Sequence, residues 1–361
     1  MSIRVSFVAS LWDHGYGGSL LRRVEIFLDG IISLANRHQL DAEVILVEWN
    51  PPAGEPALRE MLRAREALGR VTVRIIVVPP ELHRTLPNAA EIPFFEPIGK
   101  NVGMRRARGE YWLATNPDLL YSDAVFRFLA TGLAPGHLYR MDRHDVGEDV
   151  PRNLPVKRQL RFCARHIEGV HTGYASIAFP EQVKVGRFRP TPELQKQVEL
   201  ECQNGEGSQP ADISYQAQEL YRRDGIHTNA SGCFLLMHRS HWEAMHGHPE
   251  FYTRGHADSV TVWAALTQGL SQVVLRPPCF LFHQPHSRGQ QRNWQQTDWR
   301  SWYQRFQESK AAGRPLIING PNWGFAEESF EEWVLQPETT PNRQPRWEKA
   351  LQSMPRHGTT A

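Results

Sequence analysis

The sequence predicts an α/β fold with a mostly parallel central sheet flanked by helices. Three apolar runs of strand length, at 4–9, 42–47 and 71–78, are separated by stretches long enough for helices. Apolar residues recur at helical spacing through the first of these stretches, from Leu20 to Leu34. Strands that alternate with helices are typically joined by right-handed crossovers, so this order indicates a parallel α/β sheet.

Length and composition are those of an ordinary globular protein. The 361 residues can bury one large core or two modest ones. Hydrophobic residues make up 40% of the chain and charged residues 22%, and the net charge of +2 comes without a basic block, so nothing indicates nucleic-acid binding. The four cysteines are widely spaced without a C-x-x-C pair, which argues against a zinc ribbon or a disulfide scaffold.

The sequence contains no recognisable targeting or membrane segment. No stretch reaches the roughly 20 consecutive apolar residues that crossing a bilayer requires. The first residues begin a strand at once and lack the charged and apolar regions of a signal peptide. Together with the cysteine usage, this predicts a cytoplasmic protein without a transmembrane segment.

The stretch 97–123 has the pattern of a ligand-binding segment. A short helix is predicted from Lys100, Gly109 ends it, and an apolar strand follows. The strand ends where Pro117 prevents further ladder pairing, which leaves Asp118 on a loop. Ligands of open α/β sheets bind outside the carboxyl ends of the strands, so this carboxylate suits a metal or a nucleotide. Taken alone, it is also an ordinary turn residue.

This segment resembles the GT-A nucleotide-sugar glycosyltransferases, particularly those of family 2. In that group a helix is followed by the residues Arg-Gly-Glu-Tyr, which begin a strand. The strand leads into an acidic D-x-D motif. Here Arg108-Gly109-Glu110-Tyr111 precedes Asn116-Pro117-Asp118. The resemblance covers roughly residues 3–290, with its motifs in the same chain order. It implies a GT-A domain at 1–290, with a nucleotide-sugar half at about 1–123 and an acceptor half at about 124–290.

The resemblance also implies roles for single residues. Asp118 would be a metal ligand for Mn²⁺ or Mg²⁺, and His283 after the last strand would complete the shell, with His286 as the alternate. Asp258 would be the base that deprotonates the acceptor hydroxyl, although a helix N-cap also explains an Asp at this point. The residues implied to bind the donor nucleotide are Ala9, Glu48, Lys100, Asn101, Arg105, Asn116 and Asp118.

The remaining segments are predicted from composition. Residues from about 144 to 225 carry Pro, Gln and Glu in a pattern that predicts long loops and an insertion. An aromatic-rich helical extension is expected at 291–336 and a frayed tail at 337–361. The Gly-rich turn at 13–18 lacks the spacing of a Rossmann or P-loop motif, and we interpret it as the first loop of a nucleotide-sugar fold.

Three functions remain open at this point. The first is an inverting, metal-dependent, hexosyltransferase-like enzyme that moves a sugar from a nucleotide-sugar donor to a glycan or small-molecule acceptor. The second is a relative that binds a sugar nucleotide or glycan without turnover, which Asn116 and the single acid Asp258 keep open. The third is a metal-dependent carbohydrate hydrolase using Asp118, His283 and His286, which the lack of an early H-x-x-x-H or Asp-His tandem disfavours. We favour the first.

Overall fold

The computed structural model describes residues 2–12, 20–54, 56–62, 65, 67–173, 176–183, 224–253, 255–286 and 296–337. The strands are β1 (Val5–Leu11), β2 (Ala42–Trp49), β3 (Val71–Val78), β4 (Tyr111–Ala114), β5 (Leu119–Tyr121), β6 (His137–Met141), β7 (Arg143–Val146), β8 (Ile167–His171), β9 (Ser176–Val183), β10 (Leu235–His238), β11 (Ser271–Leu275), β12 (Leu281–His283) and β13 (Glu331–Val334). The helices are α1 (Leu20–Arg37), α2 (Leu58–Met61), α3 (Pro80–Arg84), α4 (Glu96–Arg105), α5 (Asp123–Thr131), α6 (Val156–Cys163), α7 (Arg239–Met245), α8 (Ala257–Thr267) and α9 (Trp299–Ala311).

A large sheet forms the centre of the fold, in the order β11-β6-β10-β4-β1-β2-β3-β13. The strands β1, β2, β3, β4, β6 and β11 run in one direction, while β10 and β13 run in the other. The predicted α/β class, with a large and mostly parallel central sheet flanked by helices, is therefore confirmed.

Alternating residues of the central strands fill two hydrophobic layers, one on each face of the sheet. Phe7 of β1 packs with the apolar side of α1, whereas the neighbouring Val8 packs on the other face with α4. Helix α4 approaches the sheet closely at Gly103, where an added Cβ would lie 2.5 Å from Val8 and 3.0 Å from Val47. This close approach fixes α4 above the carboxyl half of β1.

A second sheet, in the order β5-β12-β7-β8-β9, begins where the first one ends. Only the loop 115–118 separates β4 of the large sheet from β5 of the small one. In the small sheet His283 of β12 lies between Leu119 of β5 and Asp145 of β7. The strand register therefore brings polar side chains from distant parts of the chain next to the end of β4.

Several element boundaries differ from the prediction. Helix α4 begins at Glu96 rather than Lys100, because Pro97 is favourable in a first helical turn. The sequence predicts a helix at 55–68 after β2, but α2 is much shorter, since Leu62 is extended at φ −66° and ψ 133° and ends it. The Pro- and His-rich stretch 79–97 after β3, for which the sequence predicts a loop, contains α3. The region of expected loops from 144 contains most of β7 and all of α6, β8 and β9.

The extension at 291–336 is not purely helical. It contains α9, but its last described element is β13, which pairs antiparallel with β3 and so belongs to the large sheet. The Gly-rich turn at 13–18, the stretch 184–223 and nearly all of the tail at 337–361 lie outside the described residues. In the part of the chain that the structure does describe, no helix has both the length and the apolar character needed to cross a membrane.

Candidate metal and acceptor site

The loop 115–118 lies at the carboxyl end of β4 and is held from both sides. Thr115 donates its backbone N–H to the Val8 carbonyl of β1 and its hydroxyl to the Cys233 carbonyl at 3.0 Å. The Asp118 carbonyl in turn accepts the Gln284 N–H, just after β12. The Asp118 side chain is therefore presented to the segment 283–286 by backbone pairing on each side of it.

Asp118, His283 and His286 form a cluster of metal-ligand type. The Nε2 atom of His283 lies 3.5 Å from Asp118 Oδ2, and the Nε2 atom of His286 lies 3.4 Å from the same oxygen. One ligand atom from each residue falls within 4.8 Å of the other two. The structure thus brings together the predicted ligand pair and also the imidazole that was predicted only as its alternate.

The donor set and its spacing fit a divalent ion. Ligands bound at about 2.1 Å in tetrahedral or octahedral geometry lie roughly 3.0–3.4 Å from one another, close to the separations seen here. The second oxygen of Asp118, Oδ1, is buried and has no hydrogen-bond partner among the described residues. Because buried carboxylate oxygens are normally paired, an orphaned oxygen beside two imidazoles suits a cation ligand.

The electrostatics of the cluster also favour a cation. Burial disfavours the charged form of Asp118, but His283, His286 and Arg23 outweigh it and lower the pKa of Asp118 to about 2. Burial likewise opposes charge on His283, but Asp118 and Asp145 outweigh it and raise the pKa of this imidazole to about 9. Both shifts show that the surroundings of Asp118 and His283 favour a positive charge beside the Asp118 carboxylate.

Asp145 belongs to the site and was not predicted from the sequence. Its Oδ1 lies 3.2 Å from His283 Nδ1, on the side of the ring opposite Asp118. The same carboxylate contacts Arg143 and His171. The sequence indicates this site residue only through the polar run Arg-His-Asp at 143–145 within a strand. Its relation to His283 depends on the pairing of β7 with β12.

Lys100 connects the metal loop to a second loop at 231–233. Its side chain is 1% exposed, and its Nζ donates to Glu96 Oε1 at 2.7 Å, Asn116 Oδ1 at 2.8 Å and the Gly232 carbonyl at 3.1 Å. Burial disfavours the ammonium, but Glu96 and Asp258 outweigh it and raise the pKa of Lys100, so the group stays charged. The predicted nucleotide ligands Lys100 and Asn116 thus contact each other.

Asp258 lies against Gly232, whose carbonyl accepts from Lys100. A Cβ added to Gly232 would meet the Asp258 carboxylate at 2.5 Å, and the Gly232 backbone hydrogen bonds that carboxylate. Burial raises the pKa of Asp258, with Lys100 opposing the effect. The residue is in the first turn of α8, whose N-cap position is His256, so the N-cap interpretation of Asp258 is wrong.

Arg140 of β6 holds the loop that carries Gly232. This arginine is fully buried and donates to the carbonyls of His227 at 3.3 Å, Asn229 at 3.0 Å and Ser231 at 3.2 Å, and also to that of Phe234. Burial lowers the pKa of Arg140 to about 10, which leaves it charged at neutral pH. Several hydrogen bonds from one guanidinium fix the turn against which Asp258 rests.

The other residues implied to bind a nucleotide have partners within the protein. Glu48, at the end of β2, accepts the Leu58 N–H at 3.0 Å. Asn101 donates to the His248 carbonyl and to Glu250, and accepts the His248 N–H. Arg105 donates to the Trp323 carbonyl, and Ala9 is fully buried in the core. The described contacts do not join these residues to the Asp118 cluster, and their nucleotide roles stay predictions.

Comparison with known proteins adds little to this geometry. No family model and no curated protein matches the chain. Similar solved structures include Staphylococcus aureus TarS 1–349, at 11% identity and a TM-score of 0.36, covering 78% of this chain and 60% of that one. The same TarS fragment in complex with UDP matches at 9% identity and 0.36, covering 86% and 65%. A longer TarS structure matches at 11% and 0.35, covering 78% and 37%.

The chain therefore spans less than two thirds of each of these TarS structures. A similarity at this TM-score supports no argument about what this chain binds or does. The interpretation of the site depends on the residues and distances described above.

Proposed function

We propose that this protein is a glycosyltransferase that moves a sugar from a nucleotide-sugar donor to an acceptor hydroxyl, with inversion and with the help of a divalent metal ion. One observation carries the proposal. The Lys100 ammonium joins the loops 115–118 and 231–233. The first loop carries Asp118 of the metal-type cluster with His283 and His286, and the second lies against the half-buried carboxylate of Asp258. Both loops follow or precede strands at the centre of an α/β sheet, where ligands of such folds bind.

The metal half of the site would bind the donor. Asp118, His283 and His286 would hold the ion, and when bound it would supply positive charge opposite the departing diphosphate. A set of one carboxylate and two imidazoles suits Mn²⁺ better than Mg²⁺, which prefers oxygen ligands and keeps its water. Lys100 donates to Asn116 within the loop 115–118, so the neutral residue in the D-x-D position would have a positioning role.

The other half of the site would activate the acceptor. Asp258 would take the proton of the acceptor hydroxyl while its oxygen forms a bond to the anomeric carbon of the donor. The bond from that carbon to the diphosphate would break, and the nucleoside diphosphate would leave with its electron pair. A raised pKa improves a carboxylate as a base near neutral pH, which is the direction that burial gives Asp258.

A metal-dependent carbohydrate hydrolase is the second candidate. The approach of both His283 and His286 to Asp118 favours it, since two imidazoles and a carboxylate are also a ligand set of metal hydrolases. Such an enzyme needs no nucleotide.

A relative that binds a sugar nucleotide without turnover would need the metal and the nucleotide but not Asp258.

One experiment that measures both ligand binding and turnover distinguishes the glycosyltransferase, the hydrolase and the binding protein. Thermal unfolding is measured with a panel of nucleoside diphosphates with and without Mn²⁺, and sugar nucleotides are screened for release of nucleoside diphosphate. We expect stabilisation that requires both Mn²⁺ and nucleotide, together with turnover. Asp118→Ala should abolish the stabilisation and leave the fold intact, because the side chain lies on a loop at the strand end.

Other outcomes would replace the proposal. Mn²⁺ stabilisation that ignores nucleotides, with release of sugar or acetate from glycans, would favour the hydrolase. Stabilisation by both ligands without turnover of any sugar nucleotide would favour the binding protein. Unchanged nucleotide affinity of Asp118→Ala in Mn²⁺ would contradict the metal assignment.

A further inference from the structure

The ring of His283 lies between two carboxylates, and this arrangement has a consequence for the metal centre. Nε2 faces Asp118 at 3.5 Å and Nδ1 faces Asp145 at 3.2 Å. An imidazole that binds a metal through one nitrogen carries its proton on the other, and the hydrogen bond of that second nitrogen selects the tautomer. Asp145 is placed to accept this proton.

We propose that Asp145 is a positioning residue that holds His283 with Nδ1 protonated and Nε2 turned towards Asp118. The proposal rests on the metal site of the proposed function. It extends that site to a carboxylate which does not itself contact the ion. Such outer partners of metal-binding histidines fix the ring orientation and raise the basicity of the coordinating nitrogen.

Asp145 is itself held so that it cannot turn away from His283. Its Oδ1 lies 2.8 Å from Arg143 Nε, and its Oδ2 accepts from Arg143 Nη2 at 3.1 Å and contacts His171 Nε2 at 2.8 Å. The register explains the grouping, since Asp145 pairs with His283 across β7 and β12 and Arg143 pairs with His171 across β7 and β8. Donors from three strands converge on one carboxylate.

The group formed by Asp145, Arg143 and His171 differs from an isolated ion pair on the protein surface. The exposed fractions are 14% for the Arg143 side chain and 18% for those of Asp145 and His171, so the group is largely shielded from water. Arg143 alone already offers two donors to Asp145, yet two imidazoles contact the same carboxylate as well.

A neighbouring aspartate provides a matched control. Asp142 contacts His227 Nε2 at 2.9 Å and Arg276 Nη1 at 2.9 Å, and its side chain is 15% exposed. It therefore has the same kinds of partner and nearly the same burial as Asp145. None of its described contacts is with His283, so a change here tests the general cost of losing a buried aspartate.

The test is the affinity of the full chain for Mn²⁺ without nucleotide, measured by electron paramagnetic resonance of the free ion. We expect wild type to bind one Mn²⁺, Asp145→Asn to bind it about 10- to 100-fold more weakly, and Asp142→Asn to bind it like wild type. Asp145→Asn within twofold of wild type, or an equal loss in Asp142→Asn, would overturn the proposal while leaving the metal site itself standing. A wild type that binds no Mn²⁺ would remove both.

A second measurement needs no variant at Asp145 and so applies even if that variant does not fold. The ¹⁵N chemical shifts of the His283 ring are recorded in wild type loaded with diamagnetic Zn²⁺ and assigned with His283→Gln. We expect a protonated Nδ1 and a metal-bound Nε2. Metal bound through Nδ1, or a proton on Nε2, would show that Asp145 does not set the tautomer.

Discussion

Asp258 is the single residue on which the proposed chemistry depends most directly. Its carboxylate is half-buried against Gly232 and accepts a backbone hydrogen bond there. The group can remove a proton only when ionised, and burial raises its pKa. Activity is therefore expected to be lost as the pH falls through this raised pKa, so the acid limb of a kcat/KM profile should lie above the ordinary Asp value of about 3.9.

Asp258→Asn separates this role from a structural one. Transfer should fall by about 10² to 10⁴, the usual contribution of general-base assistance. The melting temperature should be unchanged or slightly higher, because the fold disfavours the ionised carboxylate and Asn still accepts from Gly232. Donor affinity should also persist. Initial rates, thermal unfolding and nucleotide titration measure the three quantities, and transfer within a few-fold of wild type would rule Asp258 out as the base.

His283 and His286 are predicted to contribute separately to metal affinity. Each lies within 3.5 Å of Asp118 Oδ2, so His283→Ala and His286→Ala should each weaken Mn²⁺ binding, though less than Asp118→Ala, because water can replace an imidazole in the shell. Isothermal titration with Mn²⁺ measures this, with the half-buried His241 of α7, changed to Ala, as the control. A loss confined to His286→Ala would show that His283 is not a ligand.

At the scale of elements, α4 joins the two loops of the site through one side chain. Lys100→Met would leave Asn116 Oδ1 and the Gly232 carbonyl without this donor. An unsatisfied buried acceptor costs about 1–3 kcal/mol, so the free energy of unfolding should fall by at least that amount. Transfer should fall too, since both loops lose a common anchor.

Urea unfolding and initial rates test the Lys100 prediction, with Lys157→Met on the exposed side of α6 as the control. The control should unfold like wild type. If Lys100→Met matched it in both stability and rate, the link through α4 would have no importance for the site.

At the scale of the whole molecule, β13 ties the end of the described chain to the large sheet through a buried charge. Arg74 of β3 is 2% exposed and donates to Glu332 at 2.7 and 3.0 Å and to Glu43 at 3.0 Å. Hydrogen bonding to Arg74 lowers the pKa of Glu332. The stabilisation is therefore present above the ordinary Glu pKa and is lost as the pH falls through the lowered value.

Glu332→Gln should reduce the free energy of unfolding by about 1–3 kcal/mol at pH 7, as expected for a charge-assisted hydrogen-bonded pair. The difference from wild type should shrink as the pH is lowered. Urea unfolding at several pH values measures both effects, and the exposed neighbour Glu331, changed to Gln, is the control. A difference that stayed constant down to low pH would show that the ionised carboxylate is not its source.

The sequence by itself determined the α/β class, the strands β1 to β4 and the placement of Asp118 on a loop at a strand end. These properties depend on apolar periodicity and on breakers such as Pro117, which act over a few residues. The boundaries of α4 and α8 were less predictable, because Pro97 and Asp258 are compatible with more than one position in a first helical turn.

Only the tertiary structure decided which polar groups meet. His286 joins Asp118 and His283, Asp145 supports His283, and Lys100 reaches Gly232, and none of these contacts follows from local sequence. The physical reason is that contacts between strands depend on strand order and register, and a shift of one residue would turn each side chain to the opposite face of the sheet. Pairing of β12 between β5 and β7 therefore created the site, whereas the sequence contained only its separate parts.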